Sequence, residues 1–246
     1  MSEIIYGIHA IKVLLKRDPK SFIEVFVTSG HKDCSLMLII AEIERIGILI
    51  HFVRRYELNV KVNSAVHQGI VAHIHIRNHY QEKDLPKILE NLKKPPFLLI
   101  LDGVTDPHNL GACLRSADAA GIHIVIIPRN RSVQLNATVQ KVACGAAATV
   151  PVISVTNLTR TMRLLQDKNV WIVGTMINAD YDLYQSNITN QMGLAFVMGS
   201  EGNGMRRLTR EHCNELVSIP MNGSVSSLNV SVATGICLFE AVRRRG

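Results

Sequence analysis

Four near-continuous apolar runs constrain the second half of this 246-residue chain more than any other feature: FLLIL (97–101), IHIVII (122–127), VWIVGT (170–175) and LAFVM (194–198). A strand with one wet face alternates apolar and polar residues. A strand that is apolar throughout must be covered on both faces, as in a parallel sheet layered between helices. Stretches of helical period, Leu110–Ala120, Ser132–Cys144 and Leu158–Leu165, lie between the runs. The alternation predicts a doubly wound α/β domain over residues 97–246.

Residues 1–76 show the same alternation on a smaller scale. Ile8–Leu15 and Leu36–Ile46 are helical in period, whereas IEVFVT (23–28), ILIHFV (48–53) and IVAHIHI (70–76) read as strands, giving a small α/β unit. Residues 77–96 are rich in charge and close on Pro95-Pro96, which cannot continue a helix. They read as a linker carrying a short helix, Leu85–Leu92.

Composition narrows the function class. At 47% hydrophobic residues and 19% charged, the chain has ample material for a core, which excludes a disordered protein. No apolar run reaches the roughly 18 residues of a membrane span, and the N-terminus, with Glu3 and no small-residue cleavage site, does not read as a signal peptide. A cytoplasmic protein without membrane attachment is expected. Lys and Arg total 27 against 20 Asp and Glu, a net charge of +7. The excess is spread along the chain and points to an acidic partner such as nucleic acid. The 5 cysteines form no C-x-x-C or zinc spacing and read as buried, reduced thiols. Of the 10 histidines, His73 and His75 share a strand face, but no third ligand accompanies them, so no metal site is expected.

Three segments of the second domain, each at the C-terminal end of a predicted strand, carry residues suited to chemistry. Ligands of open parallel sheets bind at that edge. In LDGVTDPHNLGACLRSADAAG (101–121), Asp106-Pro107 starts a helix, and His108 reads as an exposed residue of its first turn. Arg115 on that helix is either functional or a surface partner of Asp118 at i,i+3. MGSEGNGM (198–205) places Gly199, Gly202 and Gly204 around Glu201, in an order that is not the G-x-G-x-x-G of a dinucleotide site. That order argues against a nucleotide-dependent oxidoreductase. In IPMNGSVSSLNVSVATGICLFEAVRRR (219–245), Asn222-Gly223 is a turn, and Ser226–Asn229 can cap the final helix. The small residues Ser231, Ala233 and Gly235 on that helix permit close approach of another backbone.

Together the three segments resemble the motifs of the SpoU/TrmH family of SPOUT methyltransferases. The matching residues are Asn109, Gly111 and Arg115; Gly199, Glu201, Gly202 and Gly204; and Ile219, Pro220, Met221, Ser227, Leu228 and Asn229. YGIHAIKVLL (6–15) and HQGIVAHI (67–74) are similar to the ends of the RNA-binding domain in one subgroup, so the likeness spans essentially the whole chain. That subgroup methylates a guanosine ribose in the peptidyl-transferase region of large-subunit rRNA.

The resemblance implies a knotted, parallel-sheet SPOUT catalytic domain with a C-terminal trefoil knot (97–246), preceded by an RNA substrate-binding domain (1–76). It implies S-adenosylmethionine as cofactor, 2′-O-methylation of 23S rRNA or a pre-ribosomal large subunit, and a homodimer whose active site forms at the interface. By the same likeness Gly199, Gly202, Ile219, Met221 and Leu228 contact the donor. Arg115, with a guanidinium that stays protonated, steadies the alkoxide and an adjacent phosphate. Asn109, Ser227 and Asn229 orient Arg115 and the ribose, and Glu201 holds the geometry. The same chemistry on a tRNA or on another rRNA nucleotide, and a non-catalytic RNA-binding role in ribosome assembly, are the competing expectations.

Overall fold

The structure, a computed structural model, describes residues 2–30, 33–62, 67–75, 80–179, 181–186, 188–189 and 191–245, and divides into two units, Met1–His79 and Tyr80–Gly246. The first unit runs β1 (Ser2–Tyr6), α1 (Ile8–Arg17), β2 (Phe22–Thr28), α2 (Cys34–Ile46), β3 (Leu49–Val53), α3 (Arg55–Val62) and β4 (Ile70–His75). The strands form one sheet in the order β1-β4-β2-β3, with β2 and β3 parallel and the other pairs antiparallel. Its core gathers Ile11 and Leu15 of α1, Leu36 and Ile43 of α2, and Val25 and Ile70 of the sheet.

The segments 6–15 and 67–74 meet in this unit. The side-chain oxygen of Gln68 accepts the orphan N–H of Ile8 at the start of α1, 3.0 Å away. Gly7 has a φ of 94°, in the region that favours glycine, and a Cβ there would lie 3.2 Å from the Gln68 oxygen. Buried His67 accepts the Gly69 N–H at Nδ1 (3.0 Å), so Nε2 carries the proton it directs to the Asn59 oxygen 2.9 Å away. His73 binds Glu24 across the sheet at 2.8 Å, whereas His75 is exposed. Ile76, the end of the strand expected over 70–76, lies outside the described residues.

The second unit runs α4 (Leu85–Glu90), β5 (Phe97–Asp102), α5 (Pro107–Ala119), β6 (Ile124–Pro128), α6 (Ala137–Val142), α7 (Ala146–Thr149), β7 (Val152–Val155), α8 (Leu158–Asp167), β8 (Val170–Thr175), β9 (Tyr181–Asp182), β10 (Gly193–Gly199), α9 (Arg207–Glu211), β11 (Glu215–Ser218) and α10 (Val230–Arg245). The expected α/β architecture with a buried parallel sheet is present. Its order is β7-β6-β5-β10-β8-β11-β9, and every pairing is parallel. Phe97, Leu99 and Leu101 of β5 face one apolar layer, and Leu98 and Ile100 face the other. That two-sided burial is what the FLLIL run anticipated.

Three local expectations are corrected. The helix placed over 132–144 shrinks to Ala137–Val142, because Asn136 is extended and caps it by accepting the Val139 N–H at 3.0 Å. The helix at 85–92 ends at Glu90, and its Leu85 and Leu89 are buried against Leu98 and Ile124 rather than facing a solvated linker. Cys113 and Cys237 are buried, but Cys34 and Cys144 are exposed, each on or beside a helix surface. All five are free thiols.

Candidate functional site

The strand sequence doubles back between β5 and β10: β6 and β7 extend the sheet on one side, and β8, β11 and β9 on the other. The crevice outside the C-terminal ends of strands at such a reversal is where open α/β sheets hold ligands. A cleft of ≈ 720 Å³ opens there, walled by the 198–205 loop, Thr175 at the end of β8 with Met176–Asn178 beyond it, Ile219 and Met221 beyond β11, and Ser226–Val230 at the start of α10.

The glycine loop is built by backbone. Ser200 and Gly204 exchange N–H···O bonds of 3.0 Å each, and Gly202 and Gly204 have φ values of 80° and 63°. A Cβ on Gly199 would lie 2.3 Å from both Gly204 C and Met205 N, so no side chain fits where the strand meets the returning loop. Gly111 serves packing instead: a Cβ there would lie 2.7 Å from Val142, where α5 passes α6.

Each motif contributes one member of a hydrogen-bonded triangle. Asp106 caps α5 by accepting the His108 N–H at 2.9 Å, which sets Asn109 in the first turn, nearly buried at 8% exposure. Asn229 caps α10, its Oδ1 accepting from Ser231 N (2.9 Å) and Ser231 Oγ (2.6 Å). That fixes which end of the Asn229 amide donates. Its Nδ2 donates to Asn109 Oδ1 (3.0 Å) and to Glu201 Oε1 (3.1 Å), and Asn109 Nδ2 donates to the same carboxylate oxygen. Two amides thus hold one carboxylate at the mouth of the cleft, with charge-assisted bonds stronger than neutral ones.

The structure brings most of the sequence-derived site together. Gly199, Gly202, Ile219, Met221, Leu228, Glu201, Ser227 and Asn229 line the cleft, and Asn109 joins it through Glu201 and Asn229. Arg115 stands apart: it is exposed and absent from the cleft wall. Six residues beyond Asn109, at about 100° per residue, it projects from a different face of α5. Asp118, its expected surface partner, instead accepts from Thr149 Oγ1 at 2.6 Å. The amides of Asn109 and Asn229 turn to Glu201, not to Arg115. Gly235 lies closest to Ser116, at 3.9 Å from where a Cβ would be, so part of the small-residue face of α10 serves its packing on α5 within the chain.

Sequence reasoning missed the Thr175–Asn178 wall, although its place after a strand end could have marked it. It also missed Asp102 and Arg206, an ion pair between the end of β5 and the end of the glycine loop. Among the described residues no cluster of His, Cys, Asp and Glu could hold a metal ion, and no helix is long and apolar enough to cross a membrane.

A family model described as the SpoU rRNA Methylase family matches residues 96–239, and one described as RNA 2′-O ribose methyltransferase substrate binding matches residues 4–80. The 23S rRNA (guanosine-2′-O-)-methyltransferase RlmB of Pectobacterium atrosepticum is 68% identical over 100% of both chains. Its namesake from Escherichia coli K12 is 64% identical, also over 100% of both chains. Among solved structures, the SpoU methyltransferase AviRb from Streptomyces viridochromogenes in complex with AdoMet superposes with a TM-score of 0.77 at 21% identity, covering 98% of this chain and 90% of that one. The A. aeolicus TrmH/SpoU tRNA modifying enzyme gives 0.56 at 28% identity, over 66% of this chain and 83% of that one.

Proposed function

The chain belongs to the SpoU rRNA methylase family, and from that premise we infer that it transfers the methyl group of S-adenosylmethionine to the ribose 2′-hydroxyl of a guanosine in 23S rRNA. The observation that carries the reading is the Asn109–Glu201–Asn229 triangle beside a glycine-walled cleft, in a chain that matches 23S rRNA guanosine methyltransferases along its whole length. We place the target in the peptidyl-transferase region, the reaction in the cytoplasm, and RNA recognition in residues 1–76. Residues 97–246 are the catalytic domain, with its C-terminal segment threaded as a trefoil knot, and 77–96 connect the two.

The residues of the cleft suit the donor. Its ≈ 720 Å³ lies within the usual range of small-molecule sites, roughly 300–1,000 Å³. Ile219, Met221 and Leu228 offer apolar surface to an adenine, the backbone around Gly199 and Gly202 can approach closely, and the Glu201 carboxylate offers negative charge to a sulfonium. The donor supplies an electrophilic methyl group on sulfur. The protein must then orient the ribose and stabilise negative charge as it grows on the 2′-oxygen. Asn109 and Asn229 lock Glu201, so the mouth of the cleft has one arrangement before substrate arrives. Ser227 on the cleft wall presents a hydroxyl to the ribose. Arg115 cannot act as a base, because guanidinium does not deprotonate in proteins; it fixes a phosphate and steadies the alkoxide.

Since Arg115 lies off the cleft of its own chain, we place it in the site of a second copy, in a homodimer. Val232, Phe239 and Val242 expose an apolar stripe on α10, the helix packed against α5, and this is the surface offered to that copy. Mapping of 2′-O-methyl groups in total RNA, with and without the gene, tests the function. One lost signal in 23S rRNA supports it; a signal lost only in tRNA overturns the substrate.

A further inference from the structure

Asp102, at the end of β5, has a side chain with 0% exposure. A buried carboxylate is tolerated only with strong partners, and Arg206 supplies three contacts. Its Nε donates to Asp102 Oδ1 at 2.6 Å, Nη2 reaches the same oxygen, and its backbone N–H donates to Oδ2 at 2.9 Å. Asp102 also stands opposite Gly199 in the β5–β10 register. One residue therefore meets the glycine loop where it leaves the sheet and holds it where it returns, just before α9.

Between those two points lies a segment closed on itself by the Ser200–Gly204 bonds and joined to Asn109 and Asn229 through Glu201. Gly202 and Gly204 are in left-handed conformations, and a chain with three glycines in six residues has much backbone freedom to lose. The Ser200–Gly204 bridge closes the tip, but nothing in that bridge ties the loop to the sheet. The Asp102 carboxylate does so. Glu201 sits on this loop, so the direction of its carboxylate toward Asn109 and Asn229 depends on the same anchorage. A pair serving bulk stability alone has no need to embrace both ends of a ligand loop.

We propose that the Asp102–Arg206 pair is a positioning clamp: it holds the 199–206 loop in its donor-binding form, so that the methyl donor meets a cradle already folded. The proposal rests on reading the cleft as the S-adenosylmethionine site. Neither residue lines the cleft; both act through the loop, and preorganisation of this kind appears mainly in donor affinity.

Calorimetry with S-adenosylhomocysteine on the full-length protein, alongside steady-state kinetics and thermal melting, tests it. Arg206→Gln should raise the Kd for S-adenosylhomocysteine and the donor KM about 10-fold, as displacement of a positioning element by ~1 Å can cost more than that. The melting temperature should fall, because Asp102 keeps only the backbone N–H of residue 206 among these partners, whereas the RNA KM should stay near wild type and hydrogen exchange should rise chiefly at 200–205. Arg206→Lys keeps the charge without the planar fork and should recover part of the affinity. A folded Arg206→Gln protein with unchanged donor affinity overturns the clamp. So does a loss in which the RNA KM rises in step with the donor Kd and hydrogen exchange rises throughout residues 80–246, which is the mark of a structural pair. A wild-type protein with no affinity for S-adenosylhomocysteine overturns the cleft assignment before any variant is compared.

Discussion

The two units use their polar motif residues in opposite ways. In the first, His67, Gln68 and Asn59 are satisfied by one another and by nearby backbone, and the segments that carry them bolt α1 and α3 to the start of β4. In the second, Asn109, Glu201 and Asn229 are drawn from three distant segments and converge at the mouth of a cleft. The segment of His67 and Gln68 stood out in the sequence as the segments of Asn109, Glu201 and Asn229 did, whereas Asn59 did not. The difference teaches that a recognisable segment marks either a fold's joints or its site, and only the destination of its hydrogen bonds tells which.

The strongest test of that contrast lies with a charged motif residue that joins neither group. Arg115 is exposed and off the cleft, so its removal should cost little stability and much rate. Arg115→Ala should lower kcat by about 10²–10³, the usual cost of losing one group that stabilises a developing oxyanion. Donor affinity and melting temperature should hold. If Arg115 serves a second copy, mixing Arg115→Ala with Glu201→Gln chains should restore part of the activity, whereas either alone stays inactive. No recovery on mixing places the arginine's role within its own chain.

Gly199→Ala asks how much of the second unit's motif is geometry. Its Cβ would sit 2.3 Å from Gly204 C and Met205 N, atoms of backbone that cannot swing aside as a side chain can. Overpacking of this kind costs roughly 1–3 kcal/mol. The loop should shift, and donor affinity should fall more than overall stability. Calorimetry and melting curves on one preparation separate the two, and a variant with wild-type donor affinity would show that the loop's path is not what binds.

How much of this was legible beforehand differs between fold and site. The apolar runs at 97–101, 122–127, 170–175 and 194–198 announced four buried parallel strands, because two-sided burial leaves no polar alternation. Val152–Val155, Glu215–Ser218 and Tyr181–Asp182 escaped notice: they are short, and Glu215 and Tyr181 give an outer strand the look of a loop. Glu201 and Asn229 could be picked out as polar residues in turns. Their bond to Asn109, across 92 and 120 positions, could not, since spacing along a chain says nothing of distances across a sheet edge. Asp102 was hidden for a related reason. It reads as the polar end of a strand, and its demand for Arg206 appears only once its side chain is seen to have no access to water.

The first unit's joints give the converse of the Gly199 experiment. His67→Leu removes the acceptor for Gly69 N–H and the partner of Asn59 in a buried place. Leaving such groups unpaired costs about 1–3 kcal/mol. The expected result is a lower melting temperature for the unit formed by residues 1–79, with donor affinity in the other unit unchanged. A fall in donor affinity without loss of stability would mean that His67 is more than a joint.

The smallest effect concerns a polar group of the second unit that behaves like those of the first. Glu240 on α10 is nearly buried, and its carboxyl is held down to about 2, first by the hydrogen bond from Arg243 and then by that from Arg244. Arg244 reaches on to the carbonyls of Tyr184 and Ser186, so the carboxylate anchors the last helix to the segment before β10. A carboxyl whose folded value lies below its unfolded one near 4.5 stabilises the fold fully above that pH. The contribution fades as pH falls toward 2. Wild-type melting temperature should therefore drop between about pH 4.5 and pH 2 more steeply than that of Glu240→Gln, which starts lower at neutral pH and has no such charge to lose. Parallel curves over that window would show that the arginine pair adds nothing to the anchorage of α10.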